Sequence, residues 1–195
     1  MKELSTYNIV LASGSPRRKE LLAGLGLQFE VRLLPGIDES YPEGLTGEEI
    51  AQTISRKKAE AYRPTLQTDE LILTADTIVY LDGQVLGKPS DAEDARRMLR
   101  LLSGRTHEVI TGVTLLTRDK THTFSSVSKV KFADITDREI DYYVDNYHPL
   151  DKAGAYGIQE WIGYIAVERI EGSYFNVMGL PVQRLYQELK NFLQS

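Results

Sequence analysis

Cysteine is absent from the chain, which excludes disulfides and thiolate-held metals. Histidine is scarce: His107, His122 and His148 are far apart and form no His-x-x-x-His pair, so a zinc site is not expected. No apolar run approaches the length of a membrane span, and the opening Met1-Lys2-Glu3-Leu4-Ser5 lacks the apolar core of a signal peptide. A cytoplasmic protein with no membrane partner is the expectation. A basic excess is missing too, because 23 Lys and Arg stand against 28 Asp and Glu for a net charge of −5. Bulk nucleic-acid binding wants the opposite balance, so any basic patch must be local. Three nucleotide and hydrolase signatures are also missing: the G-x-x-x-x-G-K-[ST] phosphate loop, the G-x-G-x-x-G dinucleotide fingerprint and the G-x-S-x-G elbow. Repeats, low-complexity segments and linkers that would divide domains do not occur.

What remains is an ordinary globular composition, 195 residues with 42% hydrophobic and 26% charged, fitting one domain over 1–195. Such a length buries roughly 70% of the surface its unfolded form exposes. Tyr7 to Ala12 reads as a buried strand, and Phe29, Val31 and Leu33 alternate as a half-buried one ending at Pro35-Gly36. Thr46 with Glu49 forms a capping box that opens a helix running to about Arg63, where Pro64 stops it. Leu71 to Leu81 is apolar and β-branched enough for a central strand, which Asp82-Gly83 turns into a short QVLGKP return. Ser90 with Glu93 predicts a second capping box and a helix through Leu102, and Thr136 with Glu139 a third, with Ile140, Tyr143, Val144 and Tyr147 on one face. Strands are expected over Glu108–Thr117 and Thr121–Phe132, and again over WIGYIAVERI from Trp161 to Ile170. Pro181 starts a terminal helix with Leu185, Tyr186, Leu189 and Phe192 facing inward. Strand-helix alternation mixed with hairpins predicts an α/β fold, a mixed sheet covered by helices.

The stretch LASGSPRRKELL breaks a rule of helix ends. Ser15 is a good N-cap and Pro16 a good first residue, yet Arg17, Arg18 and Lys19 load the first turn with cations. The positive end of the helix dipole favours acids there, and each misplaced base loses roughly 0.3–1 kcal/mol. Either an anion normally sits on the turn, held by free N–H groups and guanidinium forks, or the helix start is simply a solvated basic surface.

Other residues also stand out of place. Asp76 lies inside the apolar Leu71–Leu81 run, where an isolated carboxylate costs several kcal/mol unless it is paired, bound to metal or at the strand's open end. Ile50, Ile54 and Lys58 recur every four residues, so the Lys58 ammonium projects from an apolar stripe, or snorkels out of it; Lys57 flanks the same stripe. Lys88 follows in the tight GKP loop. Asp38 and Glu39 are neighbouring loop carboxylates that suit Mg²⁺, which takes one or two protein oxygens beside water and phosphates, or else they form a solubilising loop. DKAGAYGIQ, Asp151 to Gln159, is a small-residue loop that backbone can use to approach a ligand, or a plain connection. Cations, a loop acid pair and a strand aspartate fit hydrolysis at a phosphoanhydride better than acyl transfer or hydride chemistry.

Taken in order, LASGSPRRKELL, KKAEA, ADTIV, GKP, SGRTHEVITGV, DKAGAYGIQ and GSYFNVMGLPV resemble the Maf family of nucleoside triphosphate pyrophosphatases, from Leu11 to Leu193. The resemblance implies an inosine triphosphate pyrophosphatase-like fold with two lobes around a cleft. It implies cleavage between the α- and β-phosphates of a nucleoside triphosphate, giving a monophosphate and pyrophosphate with Mg²⁺, or with Mn²⁺ in its place, as a house-cleaning of nucleotide pools. It makes Asp76 the proton acceptor, and Arg17, Thr77 and Gln159 the marks of the subgroup preferring dTTP and UTP. Under this reading Ser13, Arg17, Arg18 and Lys58 hold the phosphates, Lys88 assists, and Glu39 with Asp76 binds the metal. A homodimer is compatible with the resemblance. The alternative is a non-catalytic nucleotide sensor regulating cell division or septum formation. GIQE departs from the family pattern, because Glu160 stands where glycine is expected beside Gln159.

Overall fold

The apolar run that reads as a central strand becomes the spine of a mixed sheet in the computed structural model, which describes residues 7–194. The opening Met1–Ser5 stretch lies outside the described residues. Strand β1 (Asn8–Leu11) pairs in parallel with β2 (Phe29–Val31) and with β3 (Glu70–Leu81). The short β4 (Gln84–Leu86) folds back antiparallel on β3, with Val79 opposite Leu86. With β5 (Thr106–Leu116), β6 (Thr121–Phe132) and β7 (Val167–Glu171), a 7-stranded sheet forms in the order β2-β1-β3-β5-β6-β7, and β7 runs antiparallel to β6. The flanking helices are α1 (Pro16–Ala23), α2 (Gly47–Glu60), α3 (Ala92–Leu102), α4 (Asp137–Tyr147), α5 (Trp161–Ala166), α6 (Tyr174–Met178) and α7 (Val182–Gln194). The α/β class with a mixed sheet is therefore as expected. None of the described helices is long and apolar enough to cross a membrane.

The chain forms two compact units, the first from Met1–Asp76, Thr111–Ser126 and Gly179–Ser195, the second from Thr77–Ile110 and Val127–Met178. In the first, Val10, Ala59, Tyr62, Ile72 and Leu116 make a buried cluster. Helix α2 lies so close to β5 that a Cβ on Gly112 would come within 2.3 Å of the Ala51 carbonyl, so the bare glycine sets the distance of the helix from the sheet. In the second, α3 and α4 press Leu99, Leu102, Ile140 and Val144 into a core with Phe132 and Tyr156.

Local signals mark most boundaries. Both threonine capping boxes form, Thr46 with Glu49 and Thr136 with Glu139. The serine box does not: Asp91 caps α3 by accepting from the Asp94 N–H at 2.8 Å, and Ser90 donates its N–H to the Asp94 carboxylate at 3.0 Å. Aspartate caps as well as serine, so the frame that also satisfies the preceding N–H prevails. The expected strand over WIGYIAVERI is half helix, because Trp161–Ala166 coils as α5 and only Val167–Glu171 is extended. Gly163 makes this possible, since a Cβ there would lie 1.8 Å from the Ile158 carbonyl oxygen. Helix α2 ends at Glu60 rather than Arg63, and Pro64 sits inside a 3₁₀ turn, Arg63–Thr65. Tyr147 stacks on Tyr143, on the face expected for it, and is exposed at the end of the helix.

His107 is buried on β5, shares a 2.7 Å hydrogen bond between Nε2 and the Tyr156 hydroxyl, and meets Phe132 edge-on. Burial alone pushes its pKa down to about 4. Protonation is thus deferred in the folded chain while the unfolded chain takes up the proton near pH 6.5. Stability from this group is complete above that value and is lost as pH falls towards 4. Denaturant unfolding at pH 7 and pH 5 should show a loss of about 2 kcal/mol from this group. His107→Gln should lack that component, and an unchanged pH dependence in the variant would contradict the assignment.

Candidate active site

The start of α1 is built as its sequence suggests. Ser15 caps α1 by accepting from the Arg18 N–H at 3.4 Å, and Pro16 opens the helix. The Ser13 hydroxyl oxygen, buried at the end of β1, accepts from the Ser15 N–H at 3.3 Å and from Arg18 Nη1 at 3.4 Å. Arg18 Nε donates to the Gly179 carbonyl at 2.8 Å, so this guanidinium ties the Ser13–Ser15 loop to the turn ahead of α7. Lys19 is exposed, while Arg17 and Arg18 are half-buried. Burial pulls Arg18 below its ordinary value, Asp76 opposes that pull, Arg17 adds to it and Glu39 opposes it. A guanidinium stays charged regardless.

Asp76 and Lys58 find each other through two features of their elements. Thr74 and Asp76 share one face of β3, and Ser55 and Lys58 share one face of α2. The Thr74 hydroxyl donates to the Ser55 carbonyl at 2.6 Å, and the Ser55 hydroxyl meets that of Thr114 at 3.0 Å. That pin, with the close approach at Gly112, sets Lys58 Nζ 2.7 Å from Asp76 Oδ1. Both side chains are largely out of water, at 15% and 13% exposure, so each needs the other's charge.

The acidic pair divides. Lys57 Nζ takes Asp38 at 2.9 Å and the Ser40 carbonyl at 2.7 Å, while Lys58 Nζ takes Glu39 Oε1 at 3.2 Å. The Ser40 hydroxyl and N–H, with Lys57, hold the Asp38 carboxyl well below the usual carboxylate range. Tyr62, buried under the approach to this loop, donates its hydroxyl to the Arg32 carbonyl at 2.8 Å and accepts from the Leu34 N–H at 3.1 Å. Glu39 and Asp76 thus share one ammonium, and Asp38 is committed to the loop itself. Among the described residues no group of three or more His, Cys, Asp or Glu could hold a metal. Two carboxylates on one point fit a divalent ion that draws its other ligands from water and phosphate, and do not fit an all-protein cage.

The first unit accordingly brings together Ser13, Arg17, Arg18, Glu39, Lys58 and Asp76. Thr77, Lys88 and Gln159 belong to the second. Thr77 is half-buried on β3, and Lys88 is exposed beyond β4. The Gly154 N–H donates to the Gly87 carbonyl at 3.0 Å, which sets the GKP and DKAGAYGIQ loops side by side. Gly154 has φ 66°, and a Cβ there would lie 2.7 Å from Val79, so the loop can seat on β3 only with glycine. The Gln159 Oε1 atom is buried and has no hydrogen-bond partner. Sequence reasoning missed Gly179 as the acceptor for Arg18, since a backbone carbonyl carries no residue-type signal. It also missed the separation of Lys57 from Lys58 by partner.

Removing the ammonium tests the shared charge. Lys58→Met should lower stability at pH 7 by about 2 kcal/mol, below the 3–5 kcal/mol for a fully buried pair because some solvent remains. Adding Asp76→Asn should return much of the loss in a double-mutant cycle followed by denaturant unfolding. Strictly additive losses would show that the pair is not coupled.

Comparison with known proteins agrees with the motif order. A family model described as Maf-like protein matches residues 8–192. The dTTP/UTP pyrophosphatase of Phocaeicola vulgatus is 62% identical over 190 residues, covering 97% of this chain and 98% of that protein. That of Porphyromonas gingivalis strain W83 is 57% identical over 197 residues, covering 100% and 99%. Among solved structures, a nucleoside-triphosphatase / dITP/XTP pyrophosphatase from Mycobacterium abscessus is 19% identical with a TM-score of 0.45, covering 95% of this chain and 96% of that one. The architecture itself rests on the sheet described above. With the loop, the lysine and the strand aspartate all inside a match that runs from β1 into α7, the chain belongs to the Maf-like protein family.

Proposed function

We propose that the chain is a nucleoside triphosphate pyrophosphatase that cleaves the α–β phosphoanhydride of dTTP and UTP, yielding the monophosphate and pyrophosphate. The observation that carries this reading is the Lys58 ammonium held between Asp76 and Glu39 in the same unit as the Arg17–Arg18 helix start. The relatives named dTTP/UTP pyrophosphatase, matched over nearly their whole length, support the substrate class. Clearing such nucleotides from the pool is the corresponding house-cleaning role.

The residues divide the work by charge. Arg17, the loop N–H groups from Ser13 to Ser15 and Lys58 bind the polyphosphate, with Arg18 both fastening the loop and lending its charge. Lys88 assists. Asp76 Oδ1 faces Lys58, leaving Oδ2 to orient and deprotonate the attacking water, an effect typically worth about 10²–10⁴ in rate. Glu39 and Asp76 would hold Mg²⁺ or Mn²⁺, which when bound neutralises phosphate oxygens as charge develops. Base selection falls to Arg17, Thr77 and Gln159. The Gln159 carboxamide offers both a donor and an acceptor, which neutral uracil and thymine can pair.

A panel of nucleoside triphosphates with Mg²⁺, scored for pyrophosphate against phosphate, tests the reading; UTP and dTTP should release pyrophosphate fastest. Binding without any turnover would instead indicate a nucleotide sensor. Asp76→Asn should lose at least about 10²-fold in kcat while nucleotide binding survives. Near-normal turnover in that folded variant would remove Asp76 from the chemistry.

A further inference from the structure

Two adjacent lysines stand in the last turn of α2, and the Glu39 loop divides them between two tasks. Lys58 Nζ takes Glu39 itself, at 3.2 Å, together with Asp76. The donors of Lys57 go instead to the residues on either side of Glu39: Asp38 Oδ2 at 2.9 Å, the Ser40 carbonyl at 2.7 Å and the Ser40 hydroxyl at 3.1 Å. An ammonium has three N–H donors, and these three acceptors match them one for one. Successive helix positions point roughly a quarter turn apart, so neighbours of identical charge reach different parts of one loop.

The loop is shaped for that grip. Asp38 Oδ1 accepts from the Ser40 N–H at 2.9 Å, which closes a turn over Glu39, and the Ser40 hydroxyl donates to Asp38 Oδ2 at 2.7 Å. With its proton committed to Asp38, the Ser40 oxygen meets Lys57 as an acceptor. Just ahead of the turn, Leu34 and Ile37 pack on the buried cluster of Val10, Ala59, Tyr62, Ile72 and Leu116. Glu39 therefore stands at the tip of a short turn, with an apolar anchor before it and Lys57 across its base. Its side chain is 55% exposed, and a long side chain in that setting has rotamer freedom to lose whenever a ligand orders it. Holding the backbone on both sides reduces that cost.

We propose that Lys57 is a positioning residue for metal binding: by closing the Asp38–Ser40 turn it presents the Glu39 carboxylate, beside Asp76, to a divalent cation. The inference rests on the reading of Glu39 as a ligand of that cation. Charge and position act here in opposite directions. A cation at Lys57 repels a second cation nearby, so by Coulomb's law alone its removal tightens metal binding. With Lys57 holding the turn, the same removal weakens binding, because the loop must then be ordered at the moment the metal arrives. The sign of a single change separates the two.

The test is the affinity for Mn²⁺ alone, read from the electron paramagnetic resonance signal of the free ion as the full chain is titrated in at constant ionic strength. The wild type is compared with Lys57→Met, Ser40→Ala and Glu39→Gln. Lys57→Met should raise the Kd about threefold, within the worth of a surface ion pair. Ser40→Ala removes one acceptor of Lys57 and no charge; it should raise the Kd about twofold, where Coulomb's law alone leaves it unchanged. Glu39→Gln should raise it most. If Lys57→Met melts well below the wild type, Ser40→Ala carries the test. A folded Lys57→Met that binds Mn²⁺ as tightly as the wild type or more tightly, or a Ser40→Ala with an unchanged Kd, overturns the proposal while Glu39→Gln still weakens binding. If the wild type binds no Mn²⁺, or Glu39→Gln binds it equally well, the reading of Glu39 as a ligand fails and the proposal falls with it.

Discussion

Lys58 reaches Asp76 at 2.7 Å and Glu39 at 3.2 Å, and the first unit is arranged so that this one ammonium can serve a strand and a loop at once. An aspartate inside an apolar strand and a lysine on an apolar helix stripe would each be costly alone; together they neutralise each other. Their meeting depends on small structural terms. The Thr74 hydroxyl on the Ser55 carbonyl holds the register of helix to strand, Gly112 on β5 lets the helix come close to the sheet, and Tyr62 fastens the chain that leads to Glu39. The packing is thus what makes the charge arrangement possible.

The helix start beside it follows the opposite economy. Cations in the first turn oppose the dipole, yet Arg18 gains the Gly179 carbonyl and the Ser13 hydroxyl, and so becomes a fastener of the very loop it crowds. A guanidinium can do both because its donors point in several fixed directions, where a lysine offers a single point charge. The unit thereby keeps positive charge half-buried near the Asp76 and Glu39 carboxylates.

In the second unit the corresponding problem is to hold a loop of small residues in one conformation. Gly154, with φ 66°, and Ala155, with φ 60°, adopt left-handed backbone, and the turn is anchored from both sides, by Gly87 and by Tyr143. His107 and Tyr156 supply the buried floor of that loop, with their rings packed against Phe132. A backbone that departs from the easy conformations persists only where its surroundings over-determine it.

Much of this was readable from residues alone. Capping boxes at Thr46 and Thr136, the Ser15-Pro16 helix start and the apolar Leu71–Leu81 strand act through bonds between residues three or four apart or through simple periodicity, so the sequence by itself determined them. It also marked Asp76 and Lys58 as out of place. Tertiary structure decided what their neighbours do: Glu39 rather than Asp38 joins the shared ammonium, Lys57 turns to the loop, Arg18 finds Gly179, and WIGYIA coils where its pattern fits a strand. Adjacent like residues carry the same local signal, and a short apolar run suits helix or strand equally. The choice among them is made by partners distant in the chain, whose positions exist only after the sheet and helices have packed.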